Sequence, residues 1–149
     1  MSEKRAAELM NRLIKFRAWE KSLKQMIPIW TVDFECQLIN TLDGQPWRTF
    51  RDIELMQFTG LKDKNGREIY ENDILHYQGK VGNCLVKVEY YEGAFGAFIN
   101  EDNAERLGVL PCFHSFYNFS AFSHREGTNR IYWEILGNIY ENPKLMGKL

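Results

Sequence analysis

From Ile14 the chain alternates with a period of two, setting Phe16 and Ala18 on one face and Lys15, Arg17 and Trp19 on the other, which predicts a strand. A longer alternation puts Trp30, Val32, Phe34, Cys36 and Leu38 opposite Thr31, Asp33, Glu35 and Gln37, and predicts a half-buried strand over Val32 to Leu38. Ile53 to Phe58, Ile69-Tyr70, Asp73 to Tyr77, Cys84 to Tyr91, Phe95 to Ile99 and Ile131 to Leu136 read as further strands. Turn residues separate them: Asp43-Gly44 before Pro46, Asn65-Gly66 as the strongest hairpin signal, and Gly79 with Gly82. Only Ser2 to Leu13 carries a helical spacing, through Ala6, Leu9, Met10 and Leu13. Residues 100 to 129 lack a period and hold Phe113, Phe116, Tyr117, Phe119 and Phe122 in a dense aromatic run. The pattern predicts a mainly β fold, a small SH3-like or related β-barrel with additional N-terminal strands and a short N-terminal helix.

Composition narrows the function classes. A length of 149 residues fits one domain, read as residues 14–149 preceded by an extension over 1–13. With 19 basic against 20 acidic residues, the formal net charge of −1 removes any strong global attraction to phosphate backbones and leaves only local patches. Three scattered cysteines, Cys36, Cys84 and Cys112, fit free thiols in a reducing compartment. No apolar run reaches membrane-spanning length and the opening residues hold no apolar leader, so the expectation is a cytoplasmic protein without a membrane partner.

Candidate chemistry is sparse. Cys112, His114, His124 and His76 lack the paired spacing of a zinc site, so neither a metal nor any other cofactor is expected. A Cys112–His124 nucleophile pair has no support in the spacing. Asp63, Glu68, Glu71 and Asp73 cluster about the hairpin, where carboxylates serve turns and strand edges more often than acid–base chemistry. Phe16-Arg17-Ala18-Trp19 and Trp47-Arg48-Thr49-Phe50-Arg51 interleave rings with arginines, a composition that can stack nucleobases and meet phosphates. The run Phe113, Phe116, Tyr117, Phe119 and Phe122 is the candidate interaction surface, suited to self-association.

Three segments together resemble the YopX-like family of bacteriophage and prophage proteins: Ile14-Lys15-Phe16-Arg17-Ala18-Trp19 followed by Met26, Leu55 to Ile74 with Gly60-Leu61-Lys62-Asp63-Lys64-Asn65-Gly66 at its centre, and Ile135 to Pro143. Within them the family-motif positions are Gln57, Thr59, Gly60, Asp63, Gly66, Ile69, Tyr70, Glu71, Asp73, Gly137, Asn138, Tyr140 and Asn142, all read as structural. Asn72 stands where the family pattern usually has Gly, and Met1 to Leu9 lie outside the match. The resemblance implies a phage or prophage origin and a mostly β fold, and it brings no known enzymatic activity with it. The resulting expectation is a non-enzymatic binding module for a host or phage protein or nucleic acid. The alternatives are a nucleic-acid binder using aromatic stacking, and an enzyme or binder acting on a nucleotide-like small molecule.

Overall fold

The computed structural model describes residues 13–41, 46–79, 82–117, 122 and 130–149. The predicted N-terminal helix and Phe119 therefore lie outside the described residues, as does His124. The protein is mainly β, with a curled half-barrel sheet and one short α-helix.

The chain opens with β1 (Phe16–Glu20) and β2 (Gln25–Pro28), a hairpin that pairs on its other side with the ten-residue β6 (Ile53–Lys62), itself followed by β7 (Glu68–Tyr70). Between β2 and β6 come β3 (Thr31–Asp33), β4 (Leu38–Asn40) and β5 (Arg48–Thr49), a small antiparallel sheet, and a 3₁₀ turn at Phe50–Asp52. The second half contains β8 (Asp73–Gly79) and β9 (Gly82–Lys87), joined on the β8 side by β13 (Glu134–Asn138). A further sheet is built from β10 (Glu89–Tyr91), β11 (Ala94–Phe98) and β12 (Phe113–Ser115).

Two apolar clusters hold these sheets. Ala18, Ile27, Ile39 and Ile53 form the smaller, and the larger joins Leu75, Val86, Val88, Phe95 and Ala97 to Trp133. Phe116 and Phe122 belong to that larger core: their rings are 4.9 Å apart, and Phe122 is 4.9 Å from Trp133. This corrects the expectation that both contribute to an exposed surface. A short apolar segment lacking a period can still fill a core, since each ring buries on its own terms.

Two predicted strands are broken. Val32 to Leu38 is a hairpin, with β3 and β4 flanking a turn over 34–37. Asp33 Oδ1 accepts the Cys36 N–H at 2.9 Å and Gln37 takes a φ of +56°, so Trp30, Phe34 and Cys36 stay exposed despite the alternation. Cys84 to Tyr91 divides at Val88, whose N–H donates to Asp73 O at 2.8 Å while its carbonyl accepts the Asn72 N–H. Cys84, Val86 and Val88 face the core as alternation predicts, but Tyr90 does not. Ile131 and Trp133 are buried ahead of β13, which begins only at Glu134.

The helix α1 (Glu101–Leu107) was not read from the sequence. Its signals are nevertheless present. Asn100 accepts the Asn103 N–H as N-cap, Glu101 and Asp102 sit in the first turn, Arg106 in the last, and Gly108 closes it at a φ of +69°.

At the predicted hairpin, Gly66 N–H donates to Asp63 O at 2.9 Å and Gly66 alone takes a positive φ, +85°. Asn65 keeps a negative φ, so the turn is a type I turn closed by a glycine bulge rather than a two-residue mirror-image turn. Gly66→Val should lower stability by about 1 kcal/mol or more, because a β-branched residue is strained there. An unchanged urea midpoint would contradict this geometry.

Candidate functional site

The polar residues of the three segments converge on one another. Asp63 is fully buried and accepts three backbone N–H groups: Asn65 and Arg67 on Oδ1 at 2.9 Å each, and Ile135 on Oδ2 at 3.0 Å. It thus ties the hairpin to β13. Asp73 accepts the Arg17 guanidinium on one oxygen at 2.5 Å and the Tyr70 N–H on the other at 2.8 Å. Arg17 also lies 4.7 Å over the Tyr70 ring. Burial raises the Asp73 carboxyl above the usual range against the opposing influence of Arg17. Burial, then the hydrogen bond to Glu68, pushes the Tyr70 phenol up to about 12. Lys15 pairs with Glu68 beside it.

Gln57 and Glu71 exchange bonds, Gln57 N–H donating to Glu71 Oε1 at 2.8 Å and Glu71 N–H to Gln57 O at 3.0 Å. The ladder between β6 and β7 shifts register between Phe58 and Lys62, leaving extra residues on β6. Thr59 Oγ1 satisfies that bulge by donating to Ile69 O and accepting the Leu61 N–H, and Gly60 supplies a φ of +86°. Ile69 is buried beneath it. Asn72 holds a φ of +65°, a left-handed backbone that asparagine tolerates better than most residues other than glycine.

In the third segment, Asn138 Oδ1 accepts the N–H groups of Tyr140 and Glu141, and Asn142 Oδ1 accepts the Asn138 N–H at 3.2 Å. A Cβ on Gly137 would stand 2.2 Å from Asn142 Oδ1, so the loop closes only over glycine. Tyr140 stacks on Trp19 with ring centres 5.6 Å apart and accepts from Asn72 Nδ2. Among the motif positions, Thr59, Gly60, Asp63, Gly66, Gly137, Asn138 and Asn142 thus make their contacts at turns and a bulge, Ile69 sits in the core, and Tyr70 and Tyr140 pack against Arg17 and Trp19. The buried carboxylates Asp63 and Asp73 each have both oxygens engaged by N–H donors.

Other chemistry is equally committed. Among the described residues, no group of three or more His, Cys, Asp or Glu is placed to hold a metal ion. Cys112 Sγ lies 3.5 Å from His114 Nε2, but the same nitrogen lies 2.8 Å from Leu110 O. A nitrogen donating to that carbonyl cannot also take the thiol proton. His76 bridges Glu134 and Asn83.

What remains available is ring surface. Tyr91, Phe98 and Phe113 contact one another pairwise at 5.1 to 5.2 Å on the outward face of the β10–β12 sheet, with Tyr91 and Phe98 about half exposed. Phe113 lies over Gly96, where a Cβ would meet its Cζ at 2.7 Å. Tyr117 is exposed but tethered, its hydroxyl donating to Thr59 O at 3.1 Å. Of the predicted aromatic surface, Phe113 and Tyr117 are thus accessible. Tyr91 and Phe98 were missed, because cross-strand pairing and not sequence proximity brings them to Phe113.

Two grooves lie at opposite ends of β1. The first, about 390 Å³, is lined by Lys15, Phe16, Arg17, Trp30, Val32 and Tyr70 among others. The second, about 360 Å³, is lined by Lys21, Ser22, Trp47, Arg48 and Arg51, with Glu20 and Asp52. Trp30 and Trp47 are 68% and 47% exposed.

The fold and these segments define a YopX-type β protein, and the family model described as YopX protein matches residues 15–147. The chain belongs to the YopX family. Its structure is similar to the crystal structure of protein EF1440 from Enterococcus faecalis, at 27% identity and a TM-score of 0.61, over 91% of this chain and 99% of that one. It shares the fold of protein yopX from Bacillus subtilis, at 16% identity and a TM-score of 0.54, over 87% and 93% of the two chains. No curated protein matches the chain. Among the described residues no helix is long and apolar enough to cross a membrane.

Proposed function

We propose that this protein is a non-enzymatic accessory module of phage or prophage origin that binds a host or phage macromolecule in the bacterial cytoplasm. The observation that carries the reading is the division of labour among its side chains. The buried carboxylates Asp63 and Asp73 accept from the fold's own donors, whereas Trp30, Trp47, Tyr91 and Phe98 hold much of their area open to solvent. Exposed rings clustered against polar surroundings are what interfaces use. Affinity capture on the immobilised protein, with bound proteins and nucleic acids identified in parallel, tests the reading. Retention of a defined macromolecule that is lost when exposed rings are replaced supports it. Turnover of a small molecule by the pure protein would contradict it.

Self-association is part of the same reading, favoured by the Tyr91, Phe98 and Phe113 triad on a sheet whose edge strands β10 and β12 have no further partner among the described strands. Light scattering coupled to size exclusion should give a mass above the monomer at tens of micromolar. Phe98→Ser should return it to the monomer. A monomeric wild type, or an oligomer indifferent to Phe98→Ser, would reject this surface.

A further inference from the structure

We infer that the free edge of β12 pairs antiparallel with the same edge of a second copy of this chain, about a two-fold axis at His114, so that the two β10–β12 sheets continue as one. The inference deepens the self-association reading and rests on it. Backbone geometry assigns the edge. Between β11 and β12 the Ile99 N–H donates to Cys112 O at 3.0 Å and the Phe116 N–H to Phe95 O at 3.1 Å, on either side of the pairs Phe98↔Phe113, Ala97↔His114 and Gly96↔Ser115. Bonded and non-bonded pairs alternate along an antiparallel ladder, so His114 bonds to Ala97 while Phe113 and Ser115 aim their N–H and C=O groups away from β11. No described strand lies on that side to take them.

The edges of β2, β9 and β13 are guarded against such pairing. β2 ends in Pro28, which has no N–H to offer. α1 covers β9, with Asn103 Nδ2 donating to Leu85 O at 3.0 Å and the Arg106 guanidinium to Asn83 O at 2.7 Å. On β13, Asp63 accepts the Ile135 N–H at 3.0 Å and Arg67 donates to Ile135 O at 3.3 Å. β12 has no such device: from Phe113 to Ser115 it carries no proline, lysine or carboxylate, the residues that keep edges apart. A formal net charge of −1 adds little repulsion between copies.

The register selects a second copy as the occupant. Centred on His114, an antiparallel two-fold sets Phe113 opposite Ser115 of the second copy and Ser115 opposite its Phe113, which makes bonded pairs of both and leaves none of these groups open. A free peptide is the competing occupant. An edge this short gives a flexible chain few bonds against the ordering it must undergo, whereas a second copy brings its strand already ordered. It also brings rings. Phe113 stands on the outward face with Tyr91 and Phe98, and in this register the two Phe113 residues are diagonal neighbours across the seam, about 7–8 Å apart and within reach of aromatic side chains. The two triads thereby join into one ring-lined face that neither copy has alone.

The test is size exclusion with light scattering on the full chain at tens of micromolar, where the wild type should have the mass of a dimer. Ser115→Pro should give a monomer with the wild-type circular dichroism, because the N–H it removes serves no bond within the chain. Ser115→Ala should stay dimeric. Hydrogen exchange is the second measurement should the proline variant misfold: the Phe113 and Ser115 amides of the wild type should exchange more slowly as protein concentration rises. An oligomer dispersed by Phe98→Ser yet untouched by Ser115→Pro, or exchange at these two amides that ignores concentration, would overturn the edge pairing and leave self-association through the rings standing. A monomeric wild type would overturn both.

Discussion

Replacing Arg17 by methionine is expected to cost about 3–5 kcal/mol of folding stability, the range for removing one partner of a buried ion pair. Arg17 reaches from β1 to Asp73 at the start of β8, whose side chain is 1% exposed. Methionine keeps part of the stem's packing but leaves that carboxylate with only the Tyr70 N–H. The loss should depend on pH. Burial already raises the Asp73 carboxyl above its ordinary value of 3.8, with Arg17 opposing the shift. Removing the guanidinium raises it further. An acid whose pKa is higher folded than unfolded binds protons more tightly in the native state. Its contribution is fully present below the unfolded value and is lost as pH rises through the folded one. The urea midpoint of Arg17→Met should therefore fall, relative to wild type, as pH is raised from about 5 to about 8, and Asp73→Asn in that background should flatten the dependence. Parallel profiles for variant and wild type would contradict the assignment of Asp73 as the carboxylate that Arg17 compensates.

Asp63→Ala should be comparably severe. Three backbone N–H groups, on Asn65, Arg67 and Ile135, lose their acceptor at a site shut off from water. Each stranded donor costs about 1–3 kcal/mol, so a total of about 3 kcal/mol or more is expected, and Asp63→Asn, which keeps one acceptor oxygen, should fall between the two. Because Ile135 is 72 residues away in sequence, its amide exchange should accelerate together with that of Arg67. Faster exchange confined to the hairpin would show that the link to β13 carries no weight.

How much of this was legible in the sequence varies with the kind of signal. Strands with one face on the core, such as β1 and β9, were readable because alternation and burial coincide. The hairpin at Gly66 was readable because glycine is the cheap solution to a positive φ. Val32 to Leu38 misled because alternation says nothing of a turn, and Asp33 supplies one by accepting a backbone N–H three residues on. α1 is short, and most of its residues are exposed, so its caps and end charges were the only signal, set in a stretch that has no period. The motif positions were legible as a set through the family resemblance, yet their mutual contacts were not, since Asp63 to Ile135 and Arg17 to Asp73 are long-range pairs. The aromatic run misled in another way: Phe116 and Phe122 share it with Phe113 but end in the core, and the rings that join Phe113 at the surface come from β10 and β11.

The central claim is that the family motif's polar groups hold the fold together while the exposed rings are spare for a partner. Urea unfolding of a Trp30→Ala/Trp47→Ala double variant beside Asp63→Ala tests it most directly. The account predicts that the tryptophan variant stays within about 1 kcal/mol of wild type, as surface substitutions do, while Asp63→Ala loses about 3 kcal/mol or more. A tryptophan variant that loses as much as Asp63→Ala, or an Asp63→Ala protein as stable as wild type, would contradict it.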